Sequence, residues 1–141
     1  MNRDVTIEQT YPHPPEKVWR AIADPEILGT WLMKNDMKPE VGHQFQFRAK
    51  PQRGWNGIVD CRVVEADPPR RLAYTWTGSW GESLVVFTLT PVPEGTRLRL
   101  EHRGFGGVRG VLLSFVLGAG WKKKIREVLP DLIARLQKEE A

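Results

Sequence analysis

Residues 121–136 read WKKKIREVLPDLIARL. Trp121, Ile125, Val128, Leu129, Leu132, Ile133 and Leu136 recur at three- and four-residue steps, so they share one face of a helix. Lys122 to Lys124, Arg126, Glu127, Asp131 and Arg135 fill the other face. The spacing predicts a main helix over about 119–139. Pro130 has no N–H to offer the Arg126 carbonyl, which predicts a kink there. A helix with one apolar stripe must lay that stripe on something.

The partner surface precedes it. Between residues 43 and 103 apolar and polar residues alternate, the mark of strands with one buried face. Phe45 and Phe47 alternate with Gln44, Gln46 and Arg48, and Val59, Cys61 and Val63 with Asp60 and Arg62. Leu72, Tyr74 and Trp76 alternate with Arg71, Thr75 and Thr77. Val85, Phe87 and Leu89 oppose Leu84, Val86 and Thr88, and Leu98, Leu100 and His102 alternate with Arg97, Arg99 and Glu101. Pro51 to Gly57, Asp67-Pro68-Pro69, Gly78 to Gly81 and Pro93-Glu94-Gly95 supply turn chemistry, and such short connections pair neighbouring strands antiparallel. Val5-Thr6-Ile7-Glu8-Gln9 adds a first strand, making six, and Tyr11-Pro12-His13-Pro14-Pro15 stops it. Pro15, then Asp24-Pro25, open two short helices over about 15–23 and 25–32.

The order predicts an α+β domain: a six-stranded antiparallel sheet wrapped around a long C-terminal helix, with two short helices after the first strand closing the open end. A sheet gripping one helix leaves interior space. The inward residues that would line it are Phe47, Trp55, Val59, Tyr74, Trp76, Phe87, Leu100, His102, Trp121 and Ile125. Such a lining suits a small hydrophobic or aromatic ligand. Trp55, in a glycine-bounded stretch, reads either as a lid or as an anchor for its loop.

The remaining 141-residue arithmetic narrows the classes. Apolar residues are 40% and charged residues 27%, as expected for one folded domain spanning 1–141. The lone Cys61 excludes an intrachain disulfide and a multi-cysteine zinc site. No run resembles a signal peptide, and the uncharged stretch from Gly110 to Trp121 is short against the roughly 20 residues of a spanning helix, so a cytoplasmic protein is expected. The net charge of +4 concentrates at Arg97, Arg99, Arg103 and Arg109 and at Lys122 to Lys124 and Arg126. Without a nucleic-acid motif, this reads as solvated faces or as a surface for phosphates or lipid heads, and no nucleic-acid partner is expected.

The sequence offers no catalytic residue, and no metal or cofactor is expected. Cys61 sits on an alternating strand as a core thiol. Ser79, Ser83 and Ser114 have no base placed beside them by sequence. His13, His43 and His102 lack metal-ligand spacing. Gly104, Gly106, Gly107 and Gly110 do not form a phosphate loop. Asp60, Glu82 and Glu101 fall on outward positions. His102 faces inward, either as a satisfied core histidine or as a polar handle and proton carrier near neutral pH. The dense segment from Val108 to Leu117 predicts a separate short helix over about 108–117, partly exposed. A homodimer contact is its first expected use and peripheral membrane docking its second, with Gly118 and Gly120 as a hinge that could gate the interior.

Val18-Trp19, Asp24-Pro25, Trp31, Val41-Gly42, Pro69 to Trp76, Gly95-Thr96, Leu98, His102, Gly104-Phe105 and Gly120-Trp121 occur in one order. This set resembles the SRPBCC superfamily of START-like, helix-grip proteins. Within it, the chain looks most like the branch named after the activator of heat-shock-protein-90 ATPase, in its short bacterial single-domain form. The resemblance implies a helix-grip fold with a hydrophobic cavity, used across the superfamily for lipids, sterols, polyketides and plant hormones. It makes a binding or carrier domain the first expectation. A cyclase or aromatase-type enzyme, or a chaperone-regulating interaction module, are the alternatives, and the enzyme question leans towards no.

Overall fold

The structure, a computed structural model, describes residues 2–52, 55–78 and 81–136. Arg53, Gly54, Ser79 and the predicted helix end at 137–139 lie outside the described residues. Strand β1 (Asn2–Tyr11) leads into α1 (Pro15–Ala23) and α2 (Pro25–Trp31). Both helices start on proline, whose fixed φ suits the first turn. The Asp24 carboxylate caps α2, accepting from the Glu26 and Ile27 N–H groups at 2.9 and 3.2 Å. Then come β2 (Lys34–Asn35), β3 (Gln44–Arg48), β4 (Ile58–Asp67), β5 (Arg71–Gly78), β6 (Gly81–Val92) and β7 (Gly95–Gly106).

Among the described residues the strands pair antiparallel in one sheet of seven, ordered β1-β7-β6-β5-β4-β3-β2. The seventh strand, beyond the six expected, is β2. Its two residues are too few for an alternation to show. β1 crosses the sheet to lie against β7, with Val5 opposite His102 and Ile7 opposite Leu100. The crossing is tight at Gly95, whose φ is 143°. A Cβ there would lie 2.1 Å from the Tyr11 carbonyl oxygen, so only glycine fits.

The C-terminal helix corrects two expectations. α3 (Gly107–Lys123) runs without a break through Gly118 and Gly120, so the separate helix over 108–117 and the glycine hinge are both absent. Gly118 is a contact point instead: a Cβ there would sit 3.4 Å from a Val5 methyl, and α3 lies along β1 at this place. Tertiary packing overrides the poor helix propensity of glycine. α3 continues into one wide turn (Lys124–Val128) and then α4 (Leu129–Leu136).

The wide turn is how the helix accommodates Pro130. The Leu129 N–H reaches the Lys124 carbonyl, five residues back, which makes this a π-turn. In that register the Ile125 carbonyl would look to residue 130, a proline with no N–H. The Tyr11 hydroxyl donates to it instead. The proline's missing donor is therefore felt at Ile125 rather than at Arg126, and strand β1 repairs it.

Candidate functional site

The inward side chains of β3 to β7 meet α3 and the π-turn in an interior made largely of rings. Alternation along β5 points Tyr74 and Trp76 inward, and both are buried. Phe47 lies between them, its ring centroid 5.9 Å from Tyr74 and 5.3 Å from Trp76. Phe45 stands edge-on to both Phe47 and Tyr74. Trp121 comes from α3 and sets its ring 5.6 Å from Trp76, 6.1 Å from Phe87 and 6.4 Å from Trp31. Trp31 itself donates its indole N–H to the Ala21 carbonyl at 2.8 Å, which pins α2 to α1.

Of the ten candidate lining residues, nine are buried in this one core: Phe47, Val59, Tyr74, Trp76, Phe87, Leu100, His102, Trp121 and Ile125. Trp55 is half-buried at its rim. Its indole N–H donates to the Ile58 carbonyl at 3.3 Å, and its backbone bridges Gln52, so it anchors its loop. Open grooves lie on the outside of the described residues. One of about 620 Å³ runs from Pro25 and Glu26 to Lys38 and Pro39, and one of about 560 Å³ is lined by Asp36, Asp60 and Glu82 together with Phe45 and Cys61.

His102 is held by a chain of hydrogen bonds whose direction is fixed. The Trp121 indole can only donate, and it donates to His102 Nδ1 at 3.0 Å. The proton of the neutral ring therefore sits on Nε2, which donates to Ser83 Oγ at 2.7 Å. Ser83 passes its own proton to the Trp76 carbonyl at 2.9 Å. Burial pushes the His102 pKa down to about 3, and an indole N–H aimed at Nδ1 leaves no room for a second proton. His102 is thus neutral at physiological pH, and the proton-carrier reading fails. It is a core histidine satisfied by an indole and a serine rather than by a carbonyl or water.

The Ser83–His102 contact looks like a nucleophile and its base, but its polarity is wrong. A base must present an unprotonated nitrogen to the hydroxyl. Here Nε2 carries the hydrogen, and Nδ1, the other choice, faces a donor. Cys61 is no better placed. Burial, aided by Asp60, pushes its thiol up, away from the reactive thiolate. Among the described residues, no group of three His, Cys, Asp or Glu side chains could hold a metal ion.

Sequence reasoning missed Ser83. The signal was present: Ser83 is two residues before Val85 on β6 and so shares its inward face. The pairing of Val85 with His102 across β6 and β7 places that serine diagonal to the ring.

Two interior polar groups stand apart from this network. The Tyr74 hydroxyl and the Trp76 indole N–H are buried without a hydrogen-bond partner in the described chain. An unmet buried donor costs about 1–3 kcal/mol, so a pair of them in one aromatic core calls for a reason.

Comparison with other proteins supplies the frame. Residues 12–130 match the family described as activator of Hsp90 ATPase homolog 1-like protein. No curated protein matches the chain. Among solved structures, a Mesorhizobium loti protein is 40% identical, with 94% of this chain and 98% of that one covered and a TM-score of 0.85. A Bacillus halodurans protein, solved in solution, is 28% identical over 94% of this chain and 99% of its own, with a TM-score of 0.79. DynU16, a protein of the dynemicin biosynthetic locus, has the same fold at 24% identity and a TM-score of 0.71; 96% of this chain aligns with 47% of that one.

Proposed function

Since the chain belongs to the family of activator of Hsp90 ATPase homolog 1-like proteins and has its helix-grip fold, we propose that it binds a small aromatic or apolar molecule between the sheet and the long helix. One observation carries this reading: the unmet donors of Tyr74 and Trp76 inside an otherwise apolar, ring-lined interior. They also specify the ligand. The Trp76 N–H can only donate, so the molecule must offer an acceptor such as a carbonyl or ether oxygen. Phe45, Phe47, Phe87 and Trp121 would stack on its apolar body. The rings pack on one another at 5.3–5.9 Å, so entry requires some of them to change rotamer, and the affinity is reduced by that reorganisation. The role is binding or carriage. The fold shared with DynU16 supports an enzyme of the cyclase type only at the level of architecture, and the protonation of His102 leaves that reading without its base.

Native mass spectrometry of the purified protein, followed by titration with aromatic ketones and acyl compounds read by tryptophan fluorescence, tests this. A bound or titrating carbonyl compound is expected, and Tyr74→Phe should weaken it about tenfold, the worth of roughly one hydrogen bond. If nothing binds across the panel, or if Tyr74→Phe and Trp76→Phe both bind as wild type does, the reading is wrong.

A further inference from the structure

The net positive charge of this protein has an address. Residues 107–126 carry five basic side chains, Arg109, Lys122, Lys123, Lys124 and Arg126, and no acidic one. The rest of the chain holds the other 16 basic residues of 21 and all 17 acidic ones, so it is close to neutral. The same helix exposes apolar side chains: Leu112 is 63% exposed, Phe115 56% and Val116 69%.

These two features share one face. At 100° per residue, positions 112, 116, 119 and 123 fall within a narrow stripe, with 109 on one side and 115 and 122 on the other. Arg109, Ala119, Lys122 and Lys123 are all exposed, as the stripe requires. Ser114, Trp121 and Ile125, on the opposite face, are buried against the sheet. The helix thus presents an apolar patch of about two turns with cations at both ends. Asp4 shares the groove between β1 and α3 with Lys122, but its carboxylate accepts from the Gly104 N–H.

We propose that this face of α3 docks on an anionic lipid bilayer, with Leu112 and Val116 entering the headgroup region and Arg109, Lys122 and Lys123 on the lipid phosphates. Charge decides the occupant. A second copy packed on the same patch would bring cation-bearing helices together with no acid on α3 to offset them, the first acid after it being Glu127 in the wide turn. An anionic bilayer meets both features at once, and apolar burial with basic flanks is how interfacial helices bind. No helix of the described residues is long and apolar enough to cross a membrane, so the contact is peripheral. The face lies outside the aromatic interior, and docking stands or falls independently of the interior ligand.

The experiment is co-sedimentation of the whole protein with vesicles of phosphatidylcholine alone or mixed with phosphatidylglycerol, at low and high salt, beside sedimentation velocity without lipid. Binding to the mixed vesicles, lost at high salt and absent on phosphatidylcholine, is expected. Lys122→Gln with Lys123→Gln should weaken it about thirty-fold, from a general fivefold or so per surface cation. Leu112→Ser with Val116→Ser should weaken it about tenfold or more while leaving the melting temperature within a degree or two, since both side chains are exposed. No binding to the mixed vesicles overturns the proposal. So does binding that ignores salt or both double variants, or a dimer in sedimentation velocity that the Leu112→Ser, Val116→Ser variant dissolves.

Discussion

The interior holds two sets of polar atoms that differ in one respect. On the side of α3, α1 and β1, every named group has found a partner: Trp121 with His102, His102 with Ser83, Ser83 with the Trp76 carbonyl, Trp31 with Ala21 and Tyr11 with Ile125. On the side of β5, the Tyr74 hydroxyl and the Trp76 N–H have none among the described residues. Both regions are equally buried and equally aromatic, so burial does not explain the difference. The paired set ties one element to another, α2 to α1, β5 to β6, β6 to β7, β7 to α3 and β1 to the π-turn, and so fixes how the helices sit on the sheet. The unpaired set belongs to the middle of a strand whose backbone is already satisfied; its rings pack in the core, but its polar atoms tie no element to another. A protein keeps polar atoms of the second kind at a cost, which is why the proposed ligand contacts are placed there rather than at the more conspicuous histidine.

The comparison predicts where substitution hurts most. Trp121→Ala should cost about 3–5 kcal/mol in urea denaturation, the range for emptying a large buried ring. It removes the ring between Trp31, Trp76 and Phe87 and leaves His102 Nδ1 without its donor. A loss near 1 kcal/mol would mean that the helix side of the core is loosely packed, and the contrast with β5 would collapse.

Acid should act next. His102 titrates near 3 in the folded protein against about 6.5 when unfolded, because burial disfavours the charged ring. Between those values the unfolded chain holds a proton that the folded one lacks, so stability falls as the pH drops below 6.5. The slope is about 1.4 kcal/mol per pH unit, or about 3 kcal/mol by pH 4.5. His13 slopes the same way, since burial and then Lys17 hold its pKa down. The difference between wild type and His102→Gln isolates the ring: the variant's stability should fall less steeply over this window by about one proton. Parallel pH profiles would show that His102 is accessible to protons in the folded state.

How much of this was legible in the sequence follows physical lines. Alternation reports which side of a strand is wet, and it placed Phe47, Tyr74, Trp76, Leu100 and His102 inside correctly. It reports nothing about partners across strands, so Ser83 beside His102 was missed although its own alternation was readable. Helical spacing from Trp121 to Leu136 was strong because the stripe is regular. The Gly118 and Gly120 break was wrong because propensity is a local quantity, whereas the Val5 contact that lets Gly118 stay helical comes from a strand more than a hundred residues earlier. The same distance hid Tyr11. A proline at 130 announces a fault in the helix, but nothing near it names the donor that mends the fault. Length was the limit at β2, where two residues carry no period.

The smallest effect separates the two sets most cleanly, because it removes the same atom from each. Tyr11→Phe and Tyr74→Phe both delete one buried phenol oxygen and keep the ring. Burial raises the pKa of both phenols, so each is a neutral donor at any ordinary pH. The Tyr11 hydroxyl meets the Ile125 carbonyl, which the π-turn and Pro130 leave without a helical donor. Removing it strands a buried acceptor, and a loss of about 1–2 kcal/mol is expected. The Tyr74 hydroxyl meets no partner among the described residues, so its removal strands nothing and relieves an unmet group. For the ligand-free protein, Tyr74→Phe should therefore be neutral or stabilising in thermal melts, while Tyr11→Phe lowers the midpoint. In the presence of a bound carbonyl compound the order of importance changes: Tyr74→Phe should lose part of the ligand-induced rise in melting temperature, and Tyr11→Phe should keep it. If Tyr74→Phe destabilises the ligand-free protein as much as Tyr11→Phe does, its hydroxyl has a structural partner, an ordered water among the choices. The distinction between a paired and a waiting half of the interior would then be false.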